Sequence, residues 1–294
     1  MVFKKTLKKI IPLLGDKFFN WFYYTYNHVR LGVKKPKLEF ENPRRFNHKI
    51  IWLKMNYRHK KATIFADKLL VKNHVADEIS QEIIIPTIGV WDRVEDIDTD
   101  ILPNSFVVKC NHGSGWNILI DDKEDIDWVS VKNKLSEWLN TNYYAEGKEY
   151  QYQKIEPKIF AEPYIETDDG SELTDYKIYC FDGEPTFIQV DIGRFSEHKR
   201  NFYNLMWEKL PFQLLYPRFS VDLPKPSRLD EMIEIAKILS KNSPFLRVDL
   251  YAFGNTIYFG ELTFHPEGGF GPITPDPWDK KLGDHIKLPK RSTN

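Results

Sequence analysis

Arg247-Val248-Asp249-Leu250-Tyr251 and, twelve residues after the aspartate, Glu261-Leu262-Thr263 are the stretches on which the fold turns. Each lies in an apolar run rich in β-branched and aromatic residues, and Gly254-Asn255 between them is a turn signal. The spacing therefore predicts two antiparallel strands, at about 246–253 and 256–264. Residues i and i+2 of a strand share a face, so Arg247 points with Asp249, and Glu261 with Thr263. Parity then decides the chemistry. A two-residue turn at Gly254-Asn255 would set Asp249 opposite Gly260 and send Glu261 to the far face. A three-residue loop over 254–256 would set Asp249 directly opposite Glu261. In that second register the two carboxylates face each other at roughly 5 Å between Cβ atoms and repel unless a cation lies between them. Mg²⁺, held by one or two carboxylates together with substrate phosphates, is such a cation. The plain structural alternative is an ion-pair network of Arg247 with Asp249 and Glu261. Charges in apolar strands cost free energy unless paired or metal-bound, and both readings meet that demand.

Further charged positions sit in similar surroundings. Lys109-Cys110-Asn111-His112-Gly113-Ser114-Gly115 places a lysine at a strand end before a turn of small residues. Backbone N–H groups in such a turn can cradle phosphate, and the lysine adds a point charge. The spacing is neither the P-loop nor the dinucleotide fingerprint, so a simple hairpin with a surface lysine is the better account of this loop taken alone. Phe160-Ala161-Glu162-Pro163-Tyr164-Ile165 is a strand that breaks at proline into the acidic turn Glu166-Thr167-Asp168-Asp169-Gly170. Asp175 and Lys177 share one face of an apolar strand, and Asp67-Lys68 opens a helix. Together these give three lysines, an arginine and a carboxylate pair, a set suited to nucleotide phosphate and metal.

The surrounding pattern is α+β. Phe46, Ile50, Leu53 and Tyr57 fall on one helix face. A second helix is expected over about 66–79, and Ile83-Ile84-Ile85 reads as a β-rich run ended by Pro86. Strands are expected at 105–109, 116–120, 158–162, 176–181 and 186–191, the last two forming a hairpin on Asp182-Gly183. Trp128, Val131, Leu135 and Trp138 mark one helix. Leu229, Met232, Ala236 and Leu239 mark another, with a capping-box-like start at Ser227. Regular βαβ alternation is missing, which disfavours a parallel doubly wound sheet or a barrel. The chain has 294 residues, 42 basic and 42 acidic, and so no net charge, which argues against general nucleic-acid binding. Two cysteines are too few for a disulfide framework and fit a reducing compartment. No apolar run is long enough for a membrane span. The basic, aromatic N-terminus could pack on the body or lie on an anionic membrane surface.

The order Asp67-Lys68, Lys109 with its Gly/Ser loop, Glu162-Pro163-Tyr164-Ile165, Lys177, then Arg247-x-Asp249 and Glu261-x-Thr263 resembles the ATP-grasp superfamily. The segments Phe106 to Gly115, Asp175 to Gly183, Arg247 to Tyr251 and Tyr258 to Phe264 are similar to its teichuronopeptide-biosynthesis, or TupA-like, family. The resemblance covers about residues 40–288. It implies two α+β lobes holding ATP between antiparallel sheets, with a helical N-terminal extension. The expected division is a helical extension over 1–60, an N-terminal lobe or linker over 61–104, a small lobe with a phosphate lid over 105–165, and a large lobe with the metal site over 166–294. The implied reaction is attack of a carboxylate on the γ-phosphate of ATP, then attack of an amine on the acyl-phosphate. By matching position, Lys68 and Lys109 would bind the α- and β-phosphates, and Lys177 the γ-phosphate. Glu162 with the Tyr164–Ile165 backbone would meet adenine, and Glu166 or Asp168 the ribose. Asp249 and Glu261 would ligate Mg²⁺, with Thr263 where many members carry asparagine, and Arg247 would stabilise the oxyanion. His112, Gly113, Ser114 and Gly115 would form the lid, closing the phosphates off from water.

The resemblance further implies that the acceptor is a uronic acid of a bacterial surface polysaccharide, in free, nucleotide-linked or lipid-linked form, joined to an amino acid or other amine. Arg194, Lys199 and Arg200, with His198 and Tyr203, offer cations and aromatic faces for it; a solvated polar loop is the alternative. A lipid-linked acceptor would give residues 1–35 a purpose at the inner face of the membrane in a cytoplasmic enzyme. Two rivals stand beside the ligase: a sugar phosphotransferase using the same ATP site, and a non-catalytic nucleotide-binding member of an assembly complex. A glycosyltransferase is disfavoured, because Asp98-Thr99-Asp100 lies in a polar linker.

Overall fold

The computed structural model describes residues 15–34, 36–165, 173–193, 197–253 and 255–292. Along the chain come helices α1 (Asp16–Arg30), α2 (Phe46–Asn56), α3 (Ala62–Ala66) and α4 (Leu70–Glu78). Strands β1 (Gly89–Trp91), β2 (Phe106–Cys110) and β3 (Asn117–Ile120) follow, then α5 (Trp128–Leu139), α6 (Tyr143–Gly147) and β4 (Ile159–Pro163). The remainder is β5 (Thr174–Phe181), β6 (Glu184–Ile192), β7 (Lys199–Asn204), β8 (Lys209–Leu210), β9 (Gln213–Leu214), α7 (Leu229–Ser240), β10 (Phe245–Phe253), β11 (Thr256–Thr263), β12 (Ile273–Thr274) and α8 (Pro277–Asp284). The fold class is α+β. A four-stranded sheet runs β1-β4-β2-β3 and a six-stranded sheet β11-β10-β5-β6-β7-β8, each pairing antiparallel.

Strand alternation assigns each sheet face its job. On the large sheet Tyr176, Ile178 and Cys180 of β5 and Leu246, Val248 and Leu250 of β10 meet Leu229, Met232, Ala236 and Leu239 of α7 in one core. The intervening positions Tyr179, Phe181, Phe187 and Phe245 meet Phe46, Ile50 and Leu53 of α2 on the other face. Asp175, Lys177, Arg247 and Asp249 lie on this second face, further along the same strands. On the small sheet Phe106, Val108, Cys110, Ile159 and Ala161 pack under Val131, Leu135 and Trp138 of α5. That leaves Lys109, Phe160 and Glu162 on the open face.

Several details depart from the sequence expectations. The Ile83-Ile84-Ile85 run is not a strand: a 3₁₀ turn spans Gln81–Ile83, with the Ser80 hydroxyl accepting from the Glu82 amide. Helix α4 begins at Leu70 rather than near 66, because Asp67 accepts from the Leu69 and Leu70 amides and so marks the helix start. Ser227 does not cap α7. Arg228 occupies the cap position without capping a backbone amide, and its guanidinium pairs with the Glu231 side chain of the first turn instead. Residues 89–91, in the stretch expected as an N-terminal lobe or linker, join the four-stranded sheet as β1, and α2 packs in the core of the six-stranded sheet. Among the described residues no helix is long and apolar enough to cross a membrane.

The register question has a third answer. Phe253 pairs with Thr256, as a two-residue connection requires, yet Asp249 pairs with Glu261. The shift comes from a β-bulge between Asp249 and Leu250, where Leu250 pairs with Phe259 and Gly260 is the extra residue. A Cβ at Gly260 would stand 3.0 Å from the Asp249 carbonyl oxygen, so a side chain there would crowd the bulge.

Candidate active site

A cleft opens between the two sheets. Lys109, Phe160 and Glu162 reach it from the small sheet, and Asp175, Lys177, Asp249, Tyr251, Phe259 and Glu261 from the large one. Lys68, Lys72, Ile84 and Ile85 close one side, and Ser114 and Gly115 the other. Two of these features escaped the sequence reading. Lys72 lies one helical turn beyond Lys68, a spacing that was legible. Ile84 and Ile85, with Phe160 and Phe259, give the cleft an apolar wall whose position depends on the loop before β1, which sequence periodicity does not fix.

Each cation in the cleft is held by a carboxylate or a carbonyl. Glu162 accepts from Lys109 and, at 2.5 Å, from Lys72. Burial alone would raise its carboxyl, but the pull of the two lysines outweighs burial and holds it below the ordinary value. Lys68 donates to the Gly113 carbonyl, and burial lowers its ammonium. Lys177 donates to Asp175 and, at 2.9 Å, to Asp249. Arg247 forks onto Asp249, with Nε–Oδ1 and Nη2–Oδ2 both at 2.7 Å, and reaches Glu261 at 3.2 Å. The Thr263 hydroxyl donates to Glu261 at 2.9 Å and lies 3.1 Å from Arg247.

Asp249 and Glu261 are thus opposed, as one of the two expected registers requires, but Arg247 and Lys177 stand against them in the manner of the ion-pair alternative. Burial pushes the Asp249 carboxyl up, against the pull of Arg247 and Lys177. Glu261, where burial also raises, is brought down to about 2 by Lys68, Arg247 and Lys177. Exposure separates the pair: the Glu261 carboxylate side chain is 38% exposed and that of Asp249 2%. Among the described residues no group of three or more His, Cys, Asp or Glu could hold a metal ion. Two carboxylates still suit Mg²⁺, whose remaining ligands are waters and substrate phosphates. Glu261 presents its oxygen to the cleft, whereas Asp249 has both oxygens engaged by Arg247 and Lys177. Thr263 faces Glu261 and Arg247.

The other expected residues divide. His112 turns inward: Nε2 bonds the Trp138 carbonyl at 3.0 Å, Nδ1 lies 3.2 Å from Asn111 Oδ1, and burial lowers its imidazole. Its ring packs inward against Trp116 and the Trp138 carbonyl. Gly113 is pressed against Trp116, whose ring would stand 2.3 Å from a Cβ there. This half of the loop is pinned, while Ser114 and Gly115, the latter at φ +72°, face the cleft. Tyr164 and Ile165 follow β4 half-buried, and of this segment only Phe160 and Glu162 line the cleft. Glu166, Asp168 and Arg194 lie outside the described residues. Lys199 and Arg200 are split by strand alternation. Lys199 pairs with Glu197 at 3.0 Å away from the site. Arg200 is buried and saturated by Asp191 at 2.6 Å and Glu267 at 2.9 Å, so its fork is already occupied by protein carboxylates.

A second cavity lies beyond the cleft. Its walls include Tyr143, Glu149, Tyr152, Asp191, His198, Arg200, Tyr216, Arg247, Thr263, His265 and Glu267. Ser114, Lys177 and Glu261 line both spaces and form the partition between them. Glu267 reaches its place through a turn with φ +52° at Glu267 and +62° at Gly268. Lys54, buried in α2, holds this turn by donating to the Gly268 carbonyl at 2.9 Å.

Two antiparallel sheets clasping a lysine-rich cleft, with a carboxylate pair on the last hairpin, define the class of fold. The chain belongs to the TupA-like ATP-grasp family, whose model matches residues 48–287. Solved structures with a distant likeness include a D-alanine–D-alanine ligase from Bacillus anthracis complexed with ATP, at 18% identity and TM-score 0.45, covering 76% of this chain and 65% of that one. The D-alanine–D-alanine ligase from Helicobacter pylori is 15% identical with TM-score 0.43, covering 82% and 69%. N5-carboxyaminoimidazole synthase from Aspergillus clavatus, in complex with ADP and 5-aminoimidazole ribonucleotide, is 11% identical with TM-score 0.40, covering 82% and 50%. The chain therefore spans just under two thirds of the length of the first of these. No curated protein matches the sequence.

Proposed function

We propose that the chain is an ATP-dependent carboxylate–amine ligase that forms an amide through an acyl-phosphate, with a uronic acid of a bacterial surface polysaccharide as the carboxylate. One observation carries the reading: two cavities meet at a partition made of Ser114, Lys177 and Glu261, with Arg247 and Asp249 directly behind it. A phosphoryl donor in one space and an acceptor in the other would share those groups.

In this reading the cleft takes ATP, its base against Ile84, Ile85, Phe160 and Phe259 and its phosphates toward Lys68, Lys72, Lys109 and Lys177. The acceptor carboxylate oxygen bonds to the γ-phosphorus as the bond to the ADP oxygen breaks. The amine nitrogen then attacks the acyl carbon, phosphate leaves, and the nitrogen sheds a proton. Arg247 and Lys177 stabilise the charge that develops on the acyl oxygen and the transferring phosphoryl group. Glu261, joined by Asp249 once Lys177 turns to the phosphate, would hold Mg²⁺, which when bound neutralises phosphate charge. The ribose carboxylates expected at Glu166 and Asp168, and the Ser114–Gly115 lid, belong to the same proposal.

The test is a panel of amino acids crossed with glucuronate and galacturonate, read as ADP release and product mass. ADP release that needs both substrates, with the mass of an amide, supports the ligase. ADP release with sugar alone and a phosphosugar mass replaces it with a phosphotransferase. Peripheral membrane contact is favoured by α1, which leaves Phe18, Trp21, Tyr26 and Val29 exposed on a helix whose other face, Phe19 and Tyr24, is buried.

A further inference from the structure

The second cavity has a charge balance that separates it from the ATP cleft. Its cations are engaged by carboxylates: Arg200 by Asp191 and Glu267, Arg247 by Asp249 and Glu261, Lys177 by Asp175 and Asp249. Four carboxylates line it, those of Glu149, Asp191, Glu261 and Glu267, against three cations. The surplus settles on Glu149. Its side chain is 13% exposed. Its partners are the Gln151 amide, which donates to Oε2 at 2.8 Å, and His265 Nδ1 at 3.2 Å. Among the described residues no lysine or arginine pairs with it. A carboxylate enclosed at this depth, hydrogen-bonded to an amide and an imidazole and with the Lys54 ammonium acting on it only from a distance, is incompletely balanced until a cation arrives. Around it stand Tyr143 and Tyr152, with ring centroids 4.7 Å apart, and aromatic faces attract an ammonium as well.

We infer that this cavity binds the amine substrate as its primary ammonium, with Glu149 as the counter-ion and Glu267 on the same wall as a second acceptor. This rests on the ligase reading and deepens it: beside the acceptor carboxylate at the partition, the cavity takes the amine by its positive charge at the Glu149 end. The left-handed turn that carries Glu267 fits the assignment, because backbone strain of this kind persists where the surroundings enforce it. Placing the ammonium here brings its nitrogen beside the Lys177–Glu261 partition at which the acyl-phosphate would form; the ammonium first gives one proton to the Glu149 carboxylate, and the neutral amine then attacks, sheds its second proton and expels phosphate.

The experiment compares Glu149→Gln and Glu149→Asp with the wild-type chain, using the uronic acid and amino acid that give an amide in the panel above. Glu149→Gln keeps the shape and removes the charge. The amine KM should rise on the order of 10- to 100-fold, as loss of a charge-assisted hydrogen bond predicts. KM for ATP and for the uronic acid should stay within about twofold, as should the rate when hydroxylamine replaces the amine and traps the acyl-phosphate. Glu149→Asp should recover part of the affinity. Thermal unfolding of Glu149→Gln without substrates should occur at or above the wild-type temperature, since an unbalanced buried charge has gone. An equal fall in hydroxamate and amide formation, an unchanged amine KM, or a marked loss of stability would overturn the assignment. Failure of every amine to support ADP release would instead remove the ligase reading itself, and this inference with it.

Discussion

Lys54→Met tests how the second cavity is held in shape. Lys54 is 1% exposed, donates to the Gly268 carbonyl at 2.9 Å and lies 4.1 Å from the centroid of the Phe270 ring. Burial pushes its ammonium down from 10.5 to about 8, with Glu149 and Asp16 pulling the other way. Between those two values the unfolded chain binds more protons than the folded one, so stability rises with pH across the window. At ~1.36 kcal/mol per unit, a window from about 8 to 10.5 is worth ~3 kcal/mol, a cost carried in full below about pH 8. Methionine carries no charge and fills a similar volume, while the lost hydrogen bond gives back ~1 kcal/mol. The variant should therefore be roughly 2 kcal/mol more stable than wild type at pH 7, and the advantage should reverse to a deficit of ~1 kcal/mol by about pH 10.5, where the lost hydrogen bond alone remains. Urea denaturation of both proteins from pH 7 to 10.5 checks this, because titrations common to both cancel in the difference. A pH-independent difference, or a variant several kcal/mol less stable at pH 7, would refute the reasoning. The variant should also loosen the Glu267 turn and raise the amine KM without touching that of ATP.

Lys72→Met should weaken nucleotide binding by ~10-fold or more while leaving the unfolding temperature nearly unchanged, measured by calorimetric titration with ATP analogue and Mg²⁺; intact affinity would place Lys72 outside the phosphate path. Asp249→Asn leaves Arg247 and Lys177 with less counter-charge in a buried setting and should cost ~3–5 kcal/mol by denaturant unfolding; a loss under ~1 kcal/mol would mean the network is not held in the folded state. Gly260→Ala should destabilise by ~1–3 kcal/mol and lower activity more than stability, because relieving the contact with Asp249 shifts Glu261. Phe18→Ser with Trp21→Ser should leave catalysis on free substrates unchanged and reduce co-sedimentation with phosphatidylserine vesicles; unchanged sedimentation would leave α1 without a membrane role.

The fold was legible where periodicity is strong and one face is buried. The α2, α5 and α7 stripes and the β5–β6 hairpin stand where the sequence places them, because burial enforces a period of 3.6 or 2 and leaves little choice of register. Asp67-Lys68 was legible as a helix opening, and the helix itself begins at Leu70 because Asp67 acts through backbone amides two and three residues on. Side-chain direction was less legible. Lys199 and Arg200 looked like one cationic patch, yet adjacent strand residues point to opposite faces, and Arg200 alone reaches the cavity, already paired with Asp191 and Glu267. The resemblance places His112 in the lid, and the Trp116–Trp138 pocket that draws it inward is built partly from a helix distant in sequence.

The β10–β11 hairpin shows why such a site resists reading from sequence even when its residues are named correctly. Turn chemistry gave a two-residue connection, and carboxylate chemistry gave Asp249 against Glu261; on a regular ladder the two are incompatible by one residue. Gly260 reconciles them, because a bulge absorbs one residue and flips parity for everything beyond it. Leu250 and Phe259 then share the α7 core while Asp249 and Glu261 share the cleft. The glycine in Tyr258-Phe259-Gly260-Glu261 is thus the residue through which an ordinary hairpin acquires a carboxylate pair. A glycine inside a strand run, next to a charged residue of the wrong parity, is the local sign by which the same device can be found in other chains.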